Sequence, residues 1–283
     1  MQSTAVATGP IGVFDSGIGG LSVLAALRQE LPDEQFVYVG DAGHAPYGER
    51  DTAHVLARSQ LLADYLCTTH RAKALVLACN TATAAAVASL RERHPELPIV
   101  GIEPALKPAA AQTASGVVAV MATRSTLASD KFLALLAAQP HSVRFLLQAC
   151  DGLAAAIEQA DRQEIESLSQ RYVQALQQNA DGGAKIDIVV LGCTHYALIT
   201  EALSRLWGPK VALLEAGQPV ARRTRQVLKA AGLLRPAIGA TQQGVAAKPL
   251  VCLSTGDPAL LDQALQDWHI GGPTLRASAM LLP

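Results

Sequence analysis

The chain has 283 residues, half of them apolar, 17% charged and 4% aromatic, with 23 basic against 24 acidic side chains and a formal charge of −1. At ~150 residues per domain the length allows about two domains, each with ample chain for a core. The apolar fraction excludes disorder, and the balanced charge argues against a nucleic-acid partner. Residues 1–10 (MQSTAVATGP) lack the basic start and apolar run of a secretory signal. They read as a flexible tail on an intracellular, cytoplasmic protein. Short runs rich in Val, Ile and Leu then recur at 11–15, 36–40, 74–78, 99–102, 117–122, 143–147, 188–192, 211–215 and 250–254. Continuous apolar character predicts strands buried on both faces. Helical patterns at 21–31, 52–68, 81–93, 129–139, 162–179 and 219–231 lie between them. This alternation predicts an α/β protein with mostly parallel sheets. The uncharged stretch 74–90 approaches the ~17 residues of a short membrane span. Its Asn80, Thr81, Thr83 and Ser89 make it a buried strand and helix instead, and no membrane association is expected.

A weak internal duplication organises these elements. Ala74-Leu-Val-Leu-Ala-Cys79 reads against Ile188-Val-Val-Leu-Gly-Cys193, and Ile11-Gly-Val-Phe-Asp-Ser-Gly17 pairs with Val117-Val-Ala-Val-Met-Ala-Thr123 as the opening strand of each half. The expected architecture is two similar α/β lobes, pseudo-twofold related, with the active site in the cleft between them. The first lobe is expected to be discontinuous, 11–100 plus 210–283, carrying Asp15 and Cys79; the second spans 101–209 and carries Glu158 and Cys193. Each lobe then offers a thiol at the carboxyl end of a strand, where open α/β sheets place their ligands.

Five cysteines (67, 79, 150, 193 and 252) without CxxC spacing read as reduced thiols, and seven scattered His without HExxH disfavour a structural zinc site. Cys79 in Cys-Asn-Thr and Cys193 in Cys-Thr-His both stand between a strand and a helix. Helix-terminal amides and the helix dipole stabilise a thiolate there, making a usable base. A lone cysteine is usually a small core hydrophobe, the reading kept for Cys67, Cys150 and Cys252. The turn Asp15-Ser-Gly-Ile-Gly-Gly20 could cradle phosphate or carboxylate through its N–H groups, although Ser22 breaks the dinucleotide GxGxxG pattern. Asp15 is either a helix N-cap or a carboxylate in the cleft. Pro46-Tyr47-Gly48 is a turn or a binding loop. His195 is a surface histidine or a proton relay to Cys193. Glu158 has a solvated helix face as its ordinary explanation, and Arg222, Arg223 and Arg225 read as the wet face of a helix.

Taken together, Phe14-Asp-Ser-Gly-Ile-Gly-Gly-Leu21, Gly40-Asp41 with Pro46-Tyr-Gly48, Ala78-Cys-Asn-Thr-Ala-Thr83, Ile102-Glu-Pro104, Leu191-Gly-Cys-Thr-His-Tyr196 and Ser254-Thr-Gly-Asp-Pro258 resemble the motifs of the glutamate racemases, in that family's order. The resemblance runs from about Ile11 to Trp268. It implies a pyridoxal-independent, metal-free proton transfer on glutamate, with no cofactor, supplying D-glutamate for peptidoglycan and so for cell-wall biogenesis and cell shape. It implies Cys79 and Cys193 as the acid/base thiols, Cys79 acting on D-glutamate and Cys193 on L-glutamate. Asp15, His195 and Glu158 would assist, the last through its spacing from Cys150. Ser16, Pro46, Tyr47, Gly48, Asn80, Thr81, Thr123, Thr126 and Thr194 match substrate-binding positions. Members are often homodimers, and in some a cell-wall precursor activates the enzyme; the sequence decides neither for this chain. Two departures stand out: Cys150-Asp-Gly replaces a common Cys-Pro, and Leu214-Glu-Ala-Gly217 replaces Ile-Asp-Ser-Gly.

Physical logic runs parallel to the resemblance. Inverting an α-carbon needs a base on one face and an acid on the other. Clustered N–H and hydroxyl donors around the substrate carboxylate would bear the carbanion's charge. The alternatives are another two-cysteine racemase acting on aspartate or hydantoin, a non-catalytic two-lobed amino-acid-binding protein, and a thiol-redox protein, the last disfavoured by the lack of a local CxxC.

Overall fold

The computed structural model describes residues 8–180, 185–236, 250–270 and 275–280. Among the described residues ten strands form two sheets, and every strand pairing is parallel. The six-stranded sheet has the order β10 (Ala277–Ala279), β9 (Leu250–Ser254), β2 (Phe36–Gly40), β1 (Ile11–Asp15), β3 (Ala74–Leu77), β4 (Ile99–Gly101). The four-stranded sheet has the order β6 (Arg144–Ala149), β5 (Val117–Ala122), β7 (Ile188–Leu191), β8 (Ala212–Leu214). Strands β1, β2, β3, β5 and β7 are buried along their whole length, as their unbroken apolar runs require. The uncharged stretch at 74–90 resolves into β3 and the start of the helix Asn80–Arg93. No helix among the described residues is long and apolar enough to cross a membrane.

The duplication is visible as topology. The order β2-β1-β3-β4 in one sheet repeats as β6-β5-β7-β8 in the other, so β1 matches β5, and β3 matches β7. This repeat corrects the expected return to the first lobe at residue 210. Ala212–Leu214 pairs with β7, Ile188 facing Ala212, and fills in the second sheet the place that β4 fills in the first. The chain rejoins the larger sheet only at β9, which pairs with β2. Residues 1–7 of the expected tail lie outside the described residues; Pro10 is tied down, its carbonyl accepting the Lys73 N–H at 2.9 Å.

The lobes do not have wholly separate cores. One buried cluster runs from Val13, Leu24 and Leu27 through Leu153, Ile157 and Tyr196 to Val220 and Leu228. The helices Leu21–Glu30 and Gly217–Ala230 belong to it, and Arg225 from the second reaches Glu30 of the first at 2.6 Å. Arg225 is thus a cross-element tie and not merely a solvated charge.

Candidate active site

Each thiol sits where a strand hands over to a helix. Cys79 follows β3 and is the N-cap of Asn80–Arg93, with φ −128° and ψ 124°; its Sγ accepts the Ala82 N–H at 3.5 Å. Cys193 follows β7 and is the N-cap of the short helix Thr194–Ala197, with φ −138° and ψ 135°. The same extended cap conformation aims both side chains off the carboxyl ends of their sheets. Cys79 is 5% and Cys193 7% exposed. Both lie on the wall of one small cavity, together with Ser16, Pro46, Tyr47, Gly48, Asn80, Thr81, Thr123, Thr194 and His195. Its free space is about 10 Å³, room for about one water. Asn80 Oδ1 is buried there without a hydrogen-bond partner.

Asp15, at the end of β1, is fully buried behind this wall. It is not a helix N-cap: Gly20 holds that position for Leu21–Glu30. Its Oδ1 accepts the Ser16 N–H at 2.6 Å and the Ser16 hydroxyl at 3.2 Å, and its Oδ2 accepts the Thr194 hydroxyl of the other lobe at 3.2 Å. Burial raises the Asp15 pKa, against the attraction of His195. Burial, reinforced by the Asp15 charge, also drives the Cys79 thiol well above its ordinary range, despite the Ala82 amide.

Cys193 has a different neighbour. Its Sγ lies 3.8 Å from His195 Nδ1, while His195 Nε2 lies 2.7 Å from Glu158 Oε2. His195 is 2% and Glu158 8% exposed, so neither is the surface residue its ordinary explanation describes. Burial alone would lower the His195 pKa. The hydrogen bonds with Cys193 and Glu158 outweigh it and hold the imidazole well above its usual value. Glu158 closes the helix Leu153–Glu158, which starts after Gly152 at φ +80°; the unusual Cys150-Asp-Gly turn therefore still delivers the glutamate to the site.

The glycine-rich turn does hold a carboxylate, but one of the protein's own. The Ile18 N–H donates to Glu158 Oε2 at 2.9 Å across the lobes. A Cβ at Gly17 would strike the Glu158 carboxylate, and one at Gly19 would strike the His195 ring. At Gly48 a Cβ would come within 2.7 Å of Thr123. These three glycines let the first lobe close onto the second.

The remaining candidates divide between wall and support. Tyr47 lines the cavity with its ring, while its hydroxyl donates to Asp41 Oδ2 at 2.5 Å. Thr126 lies behind the wall, its hydroxyl 2.9 Å from Thr123 and 3.4 Å from Thr81. Sequence reasoning missed Ala154 and Gly192 on the wall, the Tyr38 hydroxyl that donates to the Gly17 carbonyl at 2.5 Å, and Arg58, which grips Asp41 at 2.9 and 3.0 Å. Small residues at 154 and 192 are the local trace of a cavity wall; Tyr38 and Arg58 leave none, since their partners are distant in sequence. Among the described residues no group of three or more His, Cys, Asp and Glu side chains is arranged to hold a metal ion.

Comparison with known proteins finds relatives in sequence and in fold. A glutamate racemase of Ectopseudomonas mendocina (strain ymp) is 51% identical over 221 residues, 77% of this chain and 82% of the relative. The crystal structure of a glutamate racemase isoform of Bacillus anthracis superposes with a TM-score of 0.80 at 27% identity, over 97% of each chain. That of Escherichia coli glutamate racemase, in complex with L-glutamate and the activator UDP-MurNAc-Ala, gives 0.78 at 27% identity over 97% of this chain and 99% of its own. The family profile described as Asp/Glu/Hydantoin racemase matches residues 11–234, and this chain belongs to that family.

Proposed function

We propose that the chain is a glutamate racemase that interconverts L- and D-glutamate with two thiols and no cofactor, supplying D-glutamate for peptidoglycan. One observation carries this reading. Two helix-capping cysteines, one from each lobe, share the wall of a single closed cavity whose other groups are hydroxyls, a carboxamide and an imidazole. One thiolate removes the α-proton from one face and the opposite thiol returns a proton to the other. The reverse reaction exchanges their roles. His195, held as an imidazolium by Glu158, gives Cys193 a proton donor and a countercharge. Asp15, whose carboxyl is pushed toward its neutral form, serves the Cys79 side. Asp15 and Glu158 do not reach the cavity wall and act as positioning residues, Asp15 on the Cys79 side and Glu158 through His195, whereas His195 itself lines the cavity beside Cys193.

Asn80, Thr81 and Thr194 supply the donors that hold substrate carboxylate and take up carbanion charge. The unpartnered Asn80 Oδ1 is a ready acceptor for the substrate ammonium. With room for about one water, the closed cavity excludes solvent while the carbanion exists. Following the family resemblance, Cys79 works on D-glutamate and Cys193 on L-glutamate, and a peptidoglycan precursor of the kind bound to the Escherichia coli relative is the activator to test.

A circular-dichroism assay of the purified protein with each enantiomer of glutamate, aspartate as control and no added cofactor tests the reading. Racemisation of glutamate that survives EDTA and carbonyl reagents and is lost on thiol alkylation is expected. Turnover of aspartate in preference to glutamate, or loss with chelator restored by metal, refutes it. In deuterated water a mere binding protein leaves the α-proton in place.

A further inference from the structure

The small cavity has no room for glutamate as it stands, and a larger space adjoins it. Beside it, between the lobes, lies a cleft with about 580 Å³ of free space. Arg50, Val55 and Ala85 of the first lobe and Arg124, Ala128 and Lys131 of the second line it, and Thr81 belongs to the walls of both spaces.

The partition between them is thin. It consists of the Thr81–Thr123 hydroxyl contact at 3.1 Å, the packing of Thr123 on Gly48, and the Ser125 hydroxyl donating to the Gly48 carbonyl at 2.6 Å. These hydrogen bonds, with the longer Thr81–Thr126 hydroxyl contact at 3.4 Å, cross from lobe to lobe through hydroxyl side chains alone on at least one side. Breaking them disturbs no sheet ladder and exposes hydroxyls that water satisfies. At the other end of the cavity the lobes meet through Glu158 on Ile18 N–H, Thr194 on Asp15 and the His195 ring over Gly19, all buried. Separating those groups strands buried charge, which is far more costly. Opening is therefore cheapest on the cleft side.

The charges of the cleft are mostly committed. Arg124 pairs with Asp151, and Lys131 with Glu103 at 2.5 Å. Asp51 caps its helix through the His54 N–H at 2.7 Å, and Asp130 lies in the first turn of Asp130–Ala137. Arg50 is exposed and its guanidinium makes no ion pair among the described residues. It follows Gly48 closely in the chain, next to the carbonyl that Ser125 grips.

We propose that this cleft is the loading vestibule for a dicarboxylate substrate, with Arg50 meeting a carboxylate of the incoming molecule and the Thr81, Thr123 and Ser125 hydroxyls forming the door. The assignment rests on the glutamate racemase reading and adds the route by which that substrate arrives. Attraction to one exposed cation is a salt-sensitive effect on association, distinct from the chemistry behind the door.

The test measures kcat/KM in both directions, with α-protiated and α-deuterated glutamate, for the wild type, Ala128→Trp, Arg50→Gln and Arg50→Lys. Ala128 is exposed, so a tryptophan there narrows the vestibule without entering the core. Ala128→Trp is expected to lower kcat/KM about tenfold and to shrink its deuterium isotope effect toward unity, because loading then limits the rate. Arg50→Gln should lower kcat/KM severalfold and flatten its ionic-strength dependence, and Arg50→Lys should restore most of both. Wild-type protein that does not racemise glutamate defeats the functional reading itself. With an active wild type, unchanged kcat/KM in either Ala128→Trp or Arg50→Gln overturns the vestibule, as does a fall in Ala128→Trp with an undiminished isotope effect.

Discussion

The two thiols occupy matching backbone positions in unlike electrostatic surroundings. Cys79 heads a helix of 14 residues, and its nearest titratable influence is the buried Asp15, which joins burial in holding the proton on sulfur. Cys193 heads a helix of four residues and faces His195, which Glu158 helps to keep charged. Backbone duplication thus places the sulfurs, while side chains that the duplication does not repeat, Asp15 opposite Met121 among them, set their charges. The asymmetry is compatible with a symmetric reaction. L- and D-glutamate have equal free energy in water, so kcat/KM must be the same in both directions whichever thiol is the better base. Differences between the two sides therefore surface in proton exchange and isotope effects, not in direction-specific efficiency.

The strongest break in the comparison is to remove one sulfur. Cys79→Ser and Cys193→Ser should each reduce racemisation by ~10²-fold or more, equally in both directions, because inversion needs an acid and a base on opposite faces. The remaining thiol still removes and returns a proton on its own face. In deuterated water Cys193→Ser should wash out the α-proton of D-glutamate preferentially, and Cys79→Ser that of L-glutamate, as read by proton NMR. Near-normal racemisation in either variant, or the same enantiomer favoured by both, defeats the two-thiol assignment.

Next in size is a wedge between the lobes. Gly19→Ala places a methyl group against the His195 ring, and displacing a catalytic neighbour by about 1 Å costs on the order of 10²-fold in rate. The thermal midpoint should fall as well, because the methyl displaces the buried His195–Glu158 pair at the contact that holds the lobes together. Retained activity would show that the lobes work further apart than in this structure.

These glycines also mark what the sequence can and cannot disclose. The buried strands were legible because an unbroken apolar run has one physical meaning, and the thiols because two matched strand-to-helix motifs constrain each other. The glycine turn was legible as a carboxylate cradle, whereas the identity of its carboxylate was not, since Glu158 arrives from another lobe at the end of an alanine-rich helix. His195 and Glu158 each look like surface residues in isolation; only their pairing makes burial tolerable. The short strand β8 was assigned to the wrong sheet because three residues of apolar sequence do not name their partner, which only the repeated strand order reveals.

A smaller effect separates the two sides electrostatically. His195→Asn should reduce kcat/KM by about tenfold in both directions, below the ~10²–10⁴-fold of a group that itself transfers the substrate proton. The exchange reaction isolated in Cys79→Ser should suffer from this change more than that in Cys193→Ser. Stability carries the same signature. The folded pKa of His195 is raised, so its stabilising charge is fully present below about 6.5 and is lost as pH rises through the folded value. The wild type should therefore lose stability toward alkaline pH more steeply than His195→Asn in urea melts. Parallel curves would show that the charged imidazole contributes nothing to the fold.

The smallest expected effect on catalysis lies outside both thiol environments, at Asp41. Burial pushes this carboxyl up, but the hydrogen bonds from Arg58, Tyr47 and Thr255 more than offset it and leave its pKa below the ordinary value. The sign is opposite to that of His195. A depressed folded pKa stabilises the protein above the unfolded value of 3.8, and that contribution disappears as pH falls through the folded value. Asp41→Asn keeps one acceptor oxygen, for either Tyr47 or Thr255, and turns the other into an NH2 donor while removing the charge that Arg58 pairs with. It should cost about 1.5–3 kcal/mol at neutral pH, the range for a hydrogen bond to a charged group. Activity should stay within a few-fold, because Asp41 holds the Pro46-Tyr47-Gly48 loop from behind and touches neither thiol. Urea melts from pH 7 down to pH 3 should show the gap between wild type and variant closing only below about pH 4. A constant gap across that range would mean that Arg58 and Asp41 contribute packing and not charge.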